Sequence, residues 1–240
     1  MNILVTGGSS GLGKAITQKL AEDKGNRVYF TYHKSVGSAK EISSRCANSI
    51  GIKCDFCNKD DVKSLVSQIA EMHLEVLVNN AYSGAFLKGH FHKVSSSDFL
   101  AEFEKNLIPT IEIAQAAISL FRKKRQGKII TVLTAALLDI PPVGASMYVA
   151  NKAYLEKLTK VWASENAKYN ISSNSVSPSF MQTALTSDTD ERIIEQMLNE
   201  HPLKRLLTVE EVAETVLFLT KASPQLNGVD IVMNAAMNIE

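Results

Sequence analysis

The strongest constraint on the fold is an alternation of short apolar runs with longer segments of helical periodicity, repeated along the whole chain. The apolar runs predict strands, and the segments between them predict helices. Strands are predicted at residues 2–6, 27–32, 50–55, 75–78, 128–133, 171–177 and 229–233. Helices are predicted at residues 12–24, 38–46, 60–72, 146–169 and 208–221, and from the capping serines at 95–97 towards Arg125.

Strands that are separated by helices pair in parallel through right-handed crossovers. The unbroken apolar runs fit strands that are buried on both faces. The 240 residues contain no internal repeat, no Gly/Ser-rich linker and no shift in composition. We therefore expect an α/β fold, a single doubly wound Rossmann-type domain over residues 1–240, with about seven parallel strands flanked by about six helices.

The charges are nearly balanced, with 26 Lys and Arg against 25 Asp and Glu and a net charge of +1. Such a chain has no overall field that would attract nucleic acid or an anionic membrane. Its longest apolar stretch, residues 129–138, is far shorter than the ~18 residues of a membrane span. Three cysteines and the lack of a charged, cleavable leader suit a reducing compartment. We expect a cytoplasmic protein that binds neither nucleic acid nor membrane.

A glycine-rich segment, Thr6-Gly7-Gly8-Ser9-Ser10-Gly11-Leu12-Gly13, joins the first predicted strand to the first predicted helix. Glycines let the backbone approach a pyrophosphate, and a helix N-terminus offers free N–H groups and a positive dipole. A plain glycine-rich turn is the alternative, but the flanking strand and helix are the context that phosphate binding requires. The candidate cofactor-binding residues are Gly7, Ser9, Ser10, Gly11, Leu12 and Gly13.

Tyr148 and Lys152 lie four residues apart near the start of a predicted helix. Residues at this spacing share a helix face, so the phenol and the ammonium can point into one cleft. A nearby cation lowers the pKa of a tyrosine because it favours the phenolate. A proton donor adjusted towards neutral pH is what carbonyl reduction by hydride needs. The Tyr-x-x-x-Lys pattern is common by chance and gains weight from the glycine segment ~135 residues earlier.

Together these residues resemble the short-chain dehydrogenase/reductase family, in particular its 3-oxoacyl-acyl-carrier-protein reductase-like members. The similarity covers essentially the whole chain and includes Asn79-Asn80-Ala81 and Pro202-Leu203-Lys204-Arg205. It implies an NADP-dependent oxidoreductase that reduces a ketone or 3-oxoacyl-like carbonyl in a small-molecule or acyl-carrier-type substrate. It also implies a lid at residues 179–190.

The resemblance gives the matching cofactor residues their roles. Asp55 would bind the adenine, and Asn80 and Ala81 would line the cofactor. Thr183 would approach the nicotinamide amide.

The resemblance also assigns the reaction chemistry. Tyr148 would be the acid/base, and Lys152 would bind the nicotinamide ribose. Asn106 would hold a water that relays protons to Lys152.

Members of the family assemble through two long helices and the C-terminal strand. The corresponding segments here, residues 99–121, 146–167 and 229–239, are rich in small and apolar residues. Closed two-fold symmetry is the usual outcome for such oligomers. We expect a homodimer or a homotetramer.

The main departure from the family is at the catalytic serine, which is replaced by Ala135. Thr134 is adjacent, but successive strand residues face opposite ways, so its hydroxyl should point away unless a bulge re-aims it. Tyr82 replaces a glycine of the family, and Ser146 lies two residues before Tyr148. We expect that one of these two has taken over the missing hydroxyl's role, so that Ala135→Ser adds little activity.

Cofactor choice depends on the end of the second strand, where an acidic side chain would hold the ribose 2′-OH of NAD. The segment Thr31-Tyr32-His33-Lys34-Ser35 offers no carboxylate. His33 and Lys34 can instead meet a 2′-phosphate, so we expect NADPH to bind more tightly than NADH.

Three other motifs have simpler explanations. Cys54-x-x-Cys57 could be a redox pair or half a zinc site, but it lacks a second pair at ligand spacing. His90-Phe91-His92 has no accompanying carboxylate or cysteine, which favours an exposed loop, so we expect no metal. Arg122-Lys123-Lys124-Arg125 could bind nucleic acid, yet it ends a helix, where cations complement the dipole.

Two functions therefore stay open. The first is the reductase described above. The second keeps the cofactor without the redox chemistry, as a non-redox enzyme or a catalytically impaired partner subunit, because the departure lies at the catalytic centre. Turnover of NADPH with a panel of ketones separates the two.

Overall fold

The computed structural model describes residues 1–138, 140–183, 185–186 and 189–237. Seven strands form one sheet, in which every neighbouring pair is parallel. They are β1 (Asn2–Val5), β2 (Arg27–Tyr32), β3 (Ser49–Lys53), β4 (Val76–Asn79), β5 (Gly127–Val132), β6 (Ile171–Pro178) and β7 (Asp230–Met233). Their spatial order is β3-β2-β1-β4-β5-β6-β7. The predicted doubly wound parallel sheet is confirmed, with strand ends within two residues of those expected.

Seven α-helices are present in the described part of the chain. They are α1 (Gly11–Ala21), α2 (Val36–Arg45), α3 (Lys59–Gln68), α4 (Ser96–Lys124), α5 (Ser146–Asn166), α6 (Glu191–Glu200) and α7 (Val209–Lys221). One core packs α1, α2 and α7 on one face of the sheet around Ile16, Phe30 and Val216. A second core packs α3, α4 and α5 on the other face, with Phe121 and Trp162. The result is a three-layer α/β/α arrangement.

The strand order reverses between β1 and β4, which lie side by side near the centre of the sheet. The chain leaves the carboxyl end of β1 into the glycine segment and that of β4 into Asn80 and Ala81. Because the two connections lead away in opposite directions, a crevice opens between them. Ligands of doubly wound sheets bind in a crevice of this kind.

Strand β6 is polar in sequence and is nevertheless buried along its whole length. The hydroxyls of Ser175 and Ser177 each donate a hydrogen bond of 2.7 Å to the carboxylate of Asp230 on β7. The Asn174 amide donates to the Leu226 carbonyl at 2.7 Å. These partners replace the water lost on burial, which removes most of the cost of placing polar groups inside.

Helix α6 is the element that the sequence prediction of about six helices lacks. Asp190 caps its N-terminus by accepting a hydrogen bond from the Arg192 N–H at 2.8 Å. The helix buries none of its described side chains. Its residues Ile193 and Met197 nevertheless line a cleft that opens along the carboxyl ends of the strands. It directly follows the segment at 179–190 that is expected to be a lid. Residues 184, 187 and 188 of that segment lie outside the described residues.

Within the described residues, no helix is both long and apolar enough to cross a membrane. The expected domain boundaries, residues 1–240, and the expected assembly segment at 229–239 extend beyond the described part, since residues 238–240 lie outside it. That the whole chain is one domain stays a prediction.

Candidate active site

The glycine segment is shaped by two close approaches of the backbone. Gly7 has a φ of 66°, in the left-handed region that favours glycine, and a Cβ there would lie 3.0 Å from the Ala81 Cα. A Cβ at Gly13 would lie 2.1 Å from the Gly7 carbonyl oxygen. Among the described residues, the Ser10 side chain makes no capping hydrogen bond at the start of α1. The first N–H groups of α1 therefore stay available to an anion, which is the arrangement that a pyrophosphate requires.

Two threonines that sequence reasoning did not single out fix this segment. The Thr6 hydroxyl accepts hydrogen bonds from the N–H groups of Asn80 and Ala81, both at 3.0 Å. The Thr31 hydroxyl accepts one from the Gly7 N–H at 2.8 Å. Because both threonines sit at or beside strand ends, they tie the glycine segment to the loops that follow β2 and β4.

One cleft of about 740 Å³ opens along the carboxyl ends of the strands. Its volume is that of a typical cofactor or substrate site. It brings together every residue that the sequence assigned to the cofactor and two of the three assigned to the reaction. These are Gly7, Ser9, Ser10, Gly11, Leu12, Gly13, His33, Lys34, Asp55, Asn80, Ala81, Tyr148, Lys152 and Thr183.

Asn106 is the predicted site residue that does not line this cleft in the described structure. Its carboxamide oxygen accepts a hydrogen bond from the Ser83 N–H at 2.7 Å, and its nitrogen donates to the Ser83 carbonyl at 3.0 Å. The side chain is buried and also donates to the Glu102 carboxylate at 3.2 Å. Asn106 thus holds the backbone after β4, and its relay to Lys152 stays a prediction.

Lys152 lies on helix α5 and is buried. Its ammonium donates a hydrogen bond of 2.7 Å to the Val132 carbonyl at the end of β5 and lies 5.8 Å from the centroid of the Tyr148 ring. Burial lowers the pKa of Lys152 from its usual value to about 8, because the charged form loses its hydration. The expected convergence of the two side chains in one cleft is present.

The electrostatic balance at Tyr148 differs from the expectation. Burial raises the pKa of the Tyr148 phenol to about 12, and the Thr134 hydroxyl opposes this shift in part. The sequence-based expectation that Lys152 would adjust the phenol towards neutral pH is therefore contradicted in this structure, where desolvation of the phenolate is the main influence on the pKa. At neutral pH the phenol is protonated, which is the form that donates a proton.

The Tyr148 ring is held between two aromatic rings. Tyr82 and Phe86 each meet it edge to face, with ring centroids 5.0 Å apart. The Tyr82 hydroxyl donates a hydrogen bond of 2.7 Å to the buried carboxylate of Glu102, which also pairs with the Lys105 ammonium at 2.7 Å. Glu102 was not predicted, and nothing in its sequence context indicates that it is buried.

Neither residue expected to replace the family's serine offers a free hydroxyl to the cleft. The Tyr82 hydroxyl is committed to Glu102, and burial together with that bond holds the pKa of Tyr82 well above its usual range. The Ser146 hydroxyl is buried, has no hydrogen-bond partner among the described residues, and lies in a separate hollow beside Pro142 and Val149. Both suggestions are corrected by this geometry.

Thr134 has the orientation that sequence reasoning did not expect. Strand β5 ends at Val132, and the chain then turns into a 3₁₀ helix at Ala135–Leu137. Strict alternation of side chains therefore stops before Thr134, and both Thr134 and Ala135 line the cleft. The Thr134 hydroxyl acts to lower the pKa of the Tyr148 phenol, against the larger effect of burial.

The pair Lys34 and His33 occupies the cleft at the end of β2. The His33 Nε2 lies 3.3 Å from the Asp55 carboxylate. Both His33 and Lys34 are exposed, so either side chain can approach a charged ligand group.

The cysteine pair and the basic segment lie in surroundings that fit their simpler explanations. Cys54 is buried, and burial raises the pKa of its thiol to about 12, which makes it unreactive. Arg122 stacks on the Tyr169 ring at 4.9 Å and donates to Asn166. In the described ranges, no group of three or more His, Cys, Asp or Glu side chains could hold a metal ion.

A doubly wound parallel sheet, a glycine segment at its switch point and a Tyr-x-x-x-Lys pair in the same cleft define a nicotinamide-type oxidoreductase architecture. A family model described as enoyl-(acyl carrier protein) reductase matches residues 7–238. The chain belongs to the short-chain dehydrogenase/reductase family and is a short-chain oxidoreductase.

The chain is similar over nearly its full length to 3-oxoacyl-acyl-carrier-protein reductases. A 3-oxoacyl-acyl-carrier-protein reductase FabG of Staphylococcus aureus strain N315 is 30% identical over 241 residues, which cover 98% of this chain and 96% of the relative. The reductase MabA of Mycobacterium bovis is 30% identical over 242 residues, 99% and 93% of the two chains.

A solved structure shows the same fold. The crystal structure of a proposed gluconate dehydrogenase from Agrobacterium tumefaciens superposes with a TM-score of 0.87 at 24% sequence identity. The match covers 98% of this chain and 94% of that one.

Proposed function

We propose that the protein reduces a ketone or 3-oxoacyl-like carbonyl with NADPH. Tyr148 is the proton donor and Lys152 its support. The observation that carries the proposal is that this pair lines the same cleft as the glycine segment at the start of α1. The 30% identity to 3-oxoacyl-acyl-carrier-protein reductases supports the class of substrate.

The residues present fit a dinucleotide. The free N–H groups at the start of α1 and the close backbone approach at Gly7 suit a pyrophosphate. Asp55, Asn80 and Ala81 would hold the adenosine half and the nearby ribose, and Thr183 the nicotinamide amide. When bound, NADPH supplies the hydride that reduces the carbonyl carbon.

The chain's own groups manage the proton. The neutral Tyr148 phenol donates its proton to the carbonyl oxygen as that oxygen gains negative charge. The Lys152 ammonium, 5.8 Å from the ring centroid, stabilises the phenolate that is left. Burial keeps the phenol protonated at neutral pH, which is the form needed to donate a proton in the reduction.

The open end of the cleft suits an apolar substrate. The side chains that line it there are apolar and come from three separate segments: Phe86, Leu87, Ile140, Val143, Ile193 and Met197. Ile140 is 95% exposed and Val143 71%. Apolar side chains so exposed around a cleft indicate a surface that is covered in use, here by an acyl chain. Residues 179–190, with α6, would close over it as a lid.

The deciding experiment follows the loss of NADPH absorbance with a panel of ketones and 3-oxoacyl thioesters. Saturable turnover with at least one of them supports the reductase. Tight NADPH binding without turnover on any of them favours the second candidate, a non-redox or impaired partner subunit. The observation behind that candidate is Ala135 in the place of the family's serine.

NADPH is expected to bind more tightly than NADH. Lys34 lines the cleft, and the segment that ends β2, residues 31–35, contains no carboxylate to hold the ribose 2′-OH of NADH. Replacing Lys34 by Gln should weaken NADPH roughly tenfold and leave NADH unchanged, since an ionic hydrogen bond to phosphate is lost. Fluorescence titration at low salt measures both affinities. Lys40→Gln, an exposed lysine of α2 that does not line the cleft, is the matched control. Equal affinities of the wild-type protein for both cofactors would contradict the assignment.

We also propose a homodimer or homotetramer of two-fold symmetry in the cytoplasm. Apolar side chains on the outer faces of α4 and α5 are unusually exposed, with Leu100 at 59% and Tyr154 at 45%. Light scattering at micromolar concentration should give a mass of two or four chains. A mass of 26.3 kDa, that of one chain, would refute this.

A further inference from the structure

The cleft contains a hydroxyl that can supply the second hydrogen bond to the substrate, one position before the family's serine. We propose that Thr134 is a catalytic residue, whose hydroxyl donates a hydrogen bond to the substrate carbonyl oxygen beside Tyr148. This inference rests on the proposed reductase function.

Thr134 is held in place by the segment that precedes it. It directly follows the Val132–Leu133 segment, which is fixed from both sides. Lys152 donates to the Val132 carbonyl at 2.7 Å, and the Leu133 N–H donates to the Val176 carbonyl at 2.8 Å. Thr134 itself is only 8% exposed, and the part that is accessible lies in the cleft. Its hydroxyl is therefore preorganised rather than free to rotate into solvent.

The Thr134 hydroxyl oxygen accepts a hydrogen bond from the Ala136 N–H at 3.3 Å, which occupies a lone pair and leaves the hydroxyl hydrogen available. Thr134 and the Tyr148 phenol line the same cleft, and the Thr134 hydroxyl acts to lower the pKa of the phenol. A substrate oxygen that lies against the phenol would also lie against this donor. Two donors then converge on the atom that becomes negatively charged, as oxyanion stabilisation requires.

The hydroxyls of Tyr82 and Ser146, the other two candidates, are not available to a substrate in the cleft. Tyr82 donates to Glu102, and the Ser146 hydroxyl lies outside the main cleft. Ala135 lines the cleft with a methyl group that can donate nothing. The side chain at the family's serine position, Ala135, thus carries no hydrogen-bond donor, whereas the neighbouring Thr134 does.

One variant removes the hydroxyl and keeps the shape of the side chain, and a second keeps the hydroxyl and removes the methyl group. Thr134→Val should lower kcat on a ketone by roughly 10²–10³-fold, with little change in KM or in NADPH affinity, because the lost bond acts mainly in the transition state. Thr134→Ser should keep kcat within several-fold of wild type. A purely structural role in capping the 3₁₀ turn would instead change NADPH affinity or thermal stability along with kcat.

Two further variants complete the design. Ala135→Ser should add little, because the donor is already present, and Ser146→Ala should leave turnover unchanged as the matched control. Unchanged kcat in Thr134→Val, or a large gain from Ala135→Ser, overturns the role of Thr134 alone. A wild-type protein that oxidises no NADPH with any ketone overturns the proposed function together with it.

Discussion

Replacing Tyr148 by Phe is expected to slow ketone reduction by roughly 10²–10⁴-fold, the contribution of a positioned general acid. The substitution removes the phenol proton and leaves the ring, so the edge-to-face contacts with Tyr82 and Phe86 at 5.0 Å are kept. NADPH affinity should therefore stay close to that of the wild type. The loss of turnover is expected because the Lys152 ammonium donates to the Val132 carbonyl, and because the Thr134 hydroxyl supplies a hydrogen bond, not a proton, in the proposed mechanism.

Steady-state kcat and a direct NADPH titration on the same protein preparation measure the two quantities separately. Tyr154→Phe is the matched control, because Tyr154 lies on the same helix and is 45% exposed, outside the cleft. Its kcat should equal that of the wild type. If Tyr148→Phe retained wild-type turnover, the proton would have another source and the proposed mechanism would be abandoned.

The fold was predictable from the sequence because its strands and helices follow regular patterns of apolar residues. Runs such as residues 129–133 are apolar at four of five positions, with Thr131 the exception, and such runs fit a strand buried on both faces. The order of strands then follows from crossover handedness and from the glycine segment that marks the switch point. Helix α6 was not predicted, because it buries none of its described side chains and lies outside the layered core.

The site was predictable in its membership but less so in its geometry. The spacing of Tyr148 and Lys152 predicts that they share a face, and they do. The orientation of Thr134 depends on where β5 ends, and strand ends are uncertain by one or two residues from sequence. A shift of one residue reverses the direction of a side chain, so a hydroxyl could not be assigned to the cleft in advance.

The protonation of Tyr148 also lies beyond sequence reasoning. The lysine four positions away suggests a cation that would lower the pKa of the phenol, whereas burial raises this pKa and is the main influence on it in the structure. Burial depends on Tyr82, Phe86 and the loops that carry them, which are far from Tyr148 in the sequence. The sign of the shift is therefore set by tertiary packing.

Turnover is expected to fall as the pH rises through about 8, because the buried Lys152 ammonium loses its proton there. The pKa of Lys152 is lowered, so the cation is present below about pH 8 and is lost above it. A neutral amine can neither stabilise the phenolate nor hold the ribose as strongly. The loss of a single proton predicts a decline of about tenfold per pH unit in kcat/KM.

The quantity to measure is kcat/KM for NADPH from pH 6 to pH 10, since it reports the ionisation of the free enzyme. Two other groups in the cleft should not produce this limb. Burial raises the pKa values of Tyr148 and of the Cys54 thiol to about 12, so both keep their protons across most of the range.

The Lys152→Met variant identifies the titrating group. It removes the charge with a side chain of similar length, so its kcat/KM should be low at every pH and should show no decline near pH 8. A wild-type profile that stays flat to pH 10 would contradict the lowered pKa of Lys152. A decline that persists in Lys152→Met would assign the ionisation to another residue. Either outcome would overturn the titration of Lys152 near pH 8, whereas a wild-type limb together with a flat variant would link the burial of this cation to its use beside Tyr148.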